Sequence, residues 1–154
     1  MATATKSKLN DSLQTDSGID VDRALGCLIL RMTLGLNIAL HGITRTITGS
    51  LAAFVDNTAK QFQNTPLPVW QVRAFATAIP FLEIAIGVML LLGLATRWTL
   101  TAGALLMAAL VFGTALRSDW NLLELQMFYC LLYFILFMCQ RYDVYSIKSL
   151  MRGK

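Results

Sequence analysis

Charge is scarce in this chain. Asp, Glu, Lys and Arg fill only 14% of its 154 positions, against about 25% in an ordinary soluble domain. That shortage excludes a disordered chain and a conventional water-soluble enzyme domain. Histidine occurs once, and proline and cysteine three times each. Cys27, Cys130 and Cys139 all fall in apolar runs; an odd number buried in lipid argues against a disulfide framework, so they read as packing residues. There is no CxxC, no haem-attachment motif and no ligand set for a metal or an iron–sulfur cluster. Strand-like alternation is missing too.

What the chain has in abundance is apolar length: 56% of its residues are hydrophobic. A helix needs about 20 mostly apolar residues to cross a bilayer. Four stretches meet that length, at about 24–45, 74–96, 98–116 and 122–140. The expected fold is an all-α integral membrane protein, a four-transmembrane-helix bundle. Residues 1–23 form a polar, partly disordered tail, residues 24–140 the membrane domain and residues 141–154 a basic tail. No secretory signal precedes the first span, which is expected to serve as its own insertion signal.

Basic residues near helix ends set the orientation. The side carrying both termini has Lys6, Lys8, Arg23, Arg97, Arg141, Lys148, Arg152 and Lys154, against Arg45, Lys60, Arg73 and Arg117 on the other. Both termini are therefore expected to be cytoplasmic. The long first loop then lies outside. Thr48 or Ser50 can cap a short amphipathic helix there, running through Leu51, Phe54 and Phe62, with Asp56 and Lys60 one turn apart and Pro66 and Pro68 beyond its end.

Ionisable residues inside spans cost at least ~2.5–3.5 kcal/mol on insertion scales, so each needs a partner or a purpose. At 100° per residue, Arg31, Gly35, Gly42 and Arg45 share one face of the first helix, with His41 to the side. On the second helix, Glu83 and Gly87 share a face with Ala76 and Pro80. The glycines let the two backbones approach closely, so these stripes are expected to meet. Depth along the helices and the lean of side chains towards each helix N-terminus favour Glu83–His41 over Glu83–Arg31 as the contact. A carboxylate beside an imidazole can relay protons or bind the carbonyl oxygens of a quinone. The same cluster can equally be a satisfied polar contact that only fixes helix packing.

The runs Arg31-x-x-Leu34-Gly35 and His41-Gly42-x-x-Arg45 resemble the first-helix signature of the DoxX/DoxD family, the thiosulfate:quinone oxidoreductase membrane-subunit type. Pro80-Phe-Leu-Glu83-x-x-x-Gly87, with the ending Leu91-Leu-Gly93-Leu-Ala-Thr96-Arg97, resembles the second. The resemblance implies a membrane subunit of a redox, quinone-linked complex in the bacterial inner membrane. Glu83 and His41 would be its catalytic groups, and Arg31, His41, Arg45, Glu83 and Arg97 its quinone-binding candidates. The chain departs from the family late in the third helix, where Phe112 to Arg117 lacks the further polar groups usual there. No self-contained active site is expected; at most the chain is a quinone-interacting subunit. No covalently bound cofactor is expected, and quinone is the one candidate. The expected partners are the lipid bilayer and other subunits of a membrane complex, with no nucleic acid. Two other functions stay open, a non-catalytic accessory subunit and a small proton-coupled transporter.

Overall fold

The computed structural model describes residues 2–140, the side chains of 2–20 and 48 excepted. Five α-helices follow one another: α1 (Ala2–Ile43), α2 (Leu51–Gln61), α3 (Val69–Leu92), α4 (Thr96–Leu116) and α5 (Trp120–Cys139). No strand occurs among the described residues. Among the described residues, four helices are long and apolar enough to cross a membrane: 21–47 within α1 and its continuation, α3, α4 and α5. The chain is a multi-pass membrane protein. The basic segment 141–154 lies outside the described residues.

Two expectations about the first helix change. The polar tail is helical from Ala2 and continuous with the first span. No proline or glycine pair interrupts residues 2–43, so nothing in the sequence stops the helix at the membrane edge. At its other end, α1 passes into a single wide π-turn, Thr44–Thr48, closed by Gly49 N–H donating to the Thr44 carbonyl at 2.8 Å.

Helix α2 is the expected surface helix of the first loop. Ser50 is its cap, accepting the Ala53 N–H at 3.3 Å. Ser50→Ala removes that acceptor and costs about 1 kcal/mol of local helix stability; faster amide exchange across 51–54 measures it. Asp56 does not stay with Lys60 but reaches Arg73 of α3 at 2.7 Å, tying α2 to the bundle.

The chain turns tightly between α3 and α4, where Gly93 adopts a left-handed φ of 64° and ends α3. The expected face of α3 is buried: Ala76, Pro80, Glu83 and Gly87 all lie against other helices. It meets α1 along Gly35, Ala39 and Gly42. The core continues through Leu90, Leu100, Leu106, Tyr133 and Leu136. Large apolar side chains such as Ile29, Leu105, Phe112, Phe128 and Met138 cover the outside, as lipid-facing positions should. Trp70 and Trp120 sit at the α2 end of the bundle and Trp98 at the opposite end, all exposed as interfacial rings are.

The cysteines also depart from expectation. Cys27 of α1 and Cys139 of α5 form a disulfide across 112 residues, with Cα atoms 5.8 Å apart. Closing the bundle brings the first and last spans side by side, so two cysteines remote in sequence meet at one end. Cys130 is a free thiol.

Candidate functional site

The site lies at the α2 end, where α1 leaves the membrane. Gly42 is pressed against the Pro80 carbonyl and lies close to Ile84 of α3. That contact holds the last turn of α1 on α3, and the π-turn carries Arg45 around towards the same helix. Arg45 Nη1 donates to both carboxylate oxygens of Glu83, at 2.5 Å to Oε1 and 2.6 Å to Oε2. The Glu83 side chain is 6% exposed and that of Arg45 31%. A buried carboxylate is thus held by a cation that itself reaches the surface. The Arg45 guanidinium also lies over the Phe54 ring of α2, 4.9 Å from its centroid.

A second arginine repeats the arrangement. Arg117, at the end of α4, stacks on Phe62, the residue just past α2, at 5.1 Å and donates to Gln61 Oε1. It also approaches Asp119 at 3.7 Å, and Asp119 caps α5 by accepting the Leu122 N–H. Helix α2 is therefore held down at both ends of one face by an arginine under a phenylalanine.

Beneath α2 is a cavity of about 390 Å³ bounded by α3, α4 and α5. Its apolar walls include Phe54, Phe62, Phe75, Ile79, Leu110 and Phe112, and its polar groups are Arg45, Thr58, Gln61, Gln71, Thr114, Arg117 and Gln126. Gln126 Oε1 is buried with no hydrogen-bond partner among the described residues. A few convergent polar groups on mostly apolar walls are what small-molecule sites share, and the volume falls within their usual range.

The expected residues separate. Glu83 and Arg45 come together, and Arg45 lines the cavity. His41 is exposed and makes no hydrogen bond to Glu83, so the carboxylate's partner is Arg45 in its place. Arg45 belongs to the first-helix stripe expected to meet that of Glu83, and it reaches the carboxylate from the π-turn in which α1 ends. Arg31 is buried at 4% exposure, about four turns before Arg45, and does not line the cavity. Arg97, in the first turn of α4, is exposed at the opposite end of the bundle. Phe62, Gln61, Arg117 and Gln126 join the site without being among its expected residues. Two phenylalanines about two turns apart, Phe54 within the amphipathic surface helix and Phe62 at its end, are the signal the sequence offers for them.

Comparison with family models matches residues 23–121 to methylamine utilisation protein MauE. Comparison with curated proteins and with solved structures finds no match. The family match overturns the resemblance to DoxX/DoxD. Among the residues that carried that resemblance, Gly35, Gly42 and Gly87 lie at a close helix crossing, and Arg45 and Glu83 pair across it. Any bundle packed in this way needs such residues, so they do not tell one four-helix membrane family from another.

Proposed function

Because the chain belongs to the MauE family, we propose that it is a membrane component serving methylamine utilisation, and that its cavity under α2 takes the head group of a quinone within a redox complex. The observation that supports this is the cavity itself, with phenylalanine rings on its walls and a buried amide oxygen lacking a partner. A flat ring with two carbonyl oxygens needs apolar faces and hydrogen bonds at its edges. Arg45, Gln71 and Thr114 offer donors, and the Gln126 amide can turn either its oxygen or its nitrogen to a ligand. Glu83 stands behind Arg45 and fixes its direction. Electrons would come from a partner subunit. Both termini on the cytoplasmic face of a bacterial inner membrane remain part of this reading, on the strength of the basic bias.

Gly113 lines the cavity, and a Cβ there would meet Phe62 Cζ at 3.2 Å. Gly113→Leu therefore fills the space without touching the Arg45–Glu83 pair. With the full chain in nanodiscs and a short-chain quinone as probe, wild type binds and Gly113→Leu weakens binding by about tenfold or more, roughly 1.4 kcal/mol. Binding that is equal in the two proteins overturns the quinone reading. The closed Arg45–Glu83 pair favours a second reading, a non-catalytic accessory subunit whose polar cluster serves packing alone. That reading expects no quinone binding by wild type and co-purification with a larger membrane complex.

A further inference from the structure

Cys27 and Cys139 meet at the end of the bundle opposite the cavity. Both residues are half-buried, not sealed in the core. Cys139 is the last residue of α5, and Cys27 lies one turn beyond Arg23, so the pair stands towards the face of the bundle that carries Arg23 and Arg97. The basic bias assigns that face to the cytoplasm. Reducing systems there keep thiols reduced, and the disulfides that form are as a rule transient and catalytic, not structural. Arg31 follows Cys27 by one turn on the same face of α1 and is buried. Side chains of a helix lean towards its N-terminus, the direction in which Cys27 lies from Arg31. A cation beside a cysteine stabilises its thiolate and makes it the better leaving group.

We propose that Cys27–Cys139 is a thiol–disulfide exchange site for a dithiol of a partner protein at this face. A partner thiolate attacks Sγ of Cys139. The bond between the two cysteines breaks, Cys27 leaves as a thiolate, and a mixed disulfide joins the partner to Cys139. The partner's second thiolate then attacks its own sulfur in that mixed disulfide and releases Cys139. The partner ends as a disulfide, having lost two electrons and two protons, and the pair ends as two thiols, having gained them. Exchange with a partner disulfide runs the same steps backwards and restores the bond. The site is independent of the cavity at the far end and does not rest on the quinone reading.

The full chain in nanodiscs is equilibrated against mixtures of reduced and oxidised glutathione, and separately with reduced thioredoxin as a generic protein dithiol. Thiols are then counted by maleimide mass tagging. The expected count rises from one, Cys130, to three across the glutathione series, and thioredoxin gives the same rise. Cys130→Ser lowers every count by one and leaves the midpoint where it was. Cys27→Ser forms a reversible adduct with oxidised glutathione on Cys139. A count that stays at one in excess reduced glutathione makes the bond a structural staple and overturns the proposal. A count that stays at three in excess oxidised glutathione does the same, because no pair then forms. Reduction by glutathione but not by thioredoxin overturns it as well, since the pair is then closed to a protein partner.

Discussion

Arg45→Leu is expected to cost about 3 kcal/mol of unfolding free energy, the lower part of the range for breaking a buried ion pair by removing one partner. The substitution leaves the Glu83 carboxylate 6% exposed with its two short hydrogen bonds gone. Glu83→Leu is expected to cost less. Arg45 is already 31% exposed and keeps its place over Phe54, so its charge can turn outwards once the carboxylate is removed. The double variant, Arg45→Leu with Glu83→Leu, recovers most of the loss, because two apolar side chains of fitting volume often replace a buried pair at little cost. Denaturant titration of the four proteins in bicelles gives the coupling directly. Equal costs for the two single variants, with simple addition in the double, would show that the pair contributes nothing as a pair. The quinone reading adds an independent expectation: Arg45→Leu removes a cavity donor outright, while Glu83→Leu leaves that donor in the chain but no longer held in direction.

The second large effect belongs to Gly87. A Cβ on this residue would lie 2.5 Å from the Ala39 backbone nitrogen and 2.7 Å from both Ala39 Cβ and the Gly35 carbonyl oxygen. Backbone atoms cannot yield as a side-chain tip can, so Gly87→Ala must push α1 and α3 apart. The expected cost is about 2–3 kcal/mol, the upper part of the usual range for overpacking. The effect also travels: Gly42 and the Arg45–Glu83 pair lie further along the same crossing, so the separation loosens the wall of the cavity. Gly26→Ala is the matched control, because nothing lies within 4 Å of a Cβ there. If both variants unfold at the same denaturant concentration, the close crossing of α1 and α3 contributes no stability.

Much of this architecture is legible in the amino-acid sequence. Glycines at 35, 42 and 87 beside an in-span carboxylate point to the α1–α3 crossing, and the stripes do meet. A serine followed by an amphipathic run marks the surface helix and its cap. The partner of Glu83 is not legible. Regular helical spacing puts both Arg31 and Arg45 on the stripe that meets it, while depth and side-chain lean favour His41 beside that stripe; only the packed helices show Arg45 reaching it from the turn at 44–48. The cysteine pair is hidden for a different reason: 112 residues separate the two sulfurs, and an odd count argues against pairing. Short motifs also point to the wrong family, because close crossings and paired charges recur wherever membrane helices pack; the match over residues 23–121 corrects it.

The sequence by itself determined that this is a four-span helical membrane protein with a short helix on its first loop. Apolar length, helical period and capping residues are properties of contiguous segments, and a contiguous segment carries them whole. Only the tertiary structure decided which charge holds Glu83, that a cavity opens beneath α2, and that Cys27 meets Cys139. Each of these depends on how helices far apart in the chain rotate and settle against one another. A shift of one residue in a turn, about 100° of helix rotation, changes the answer.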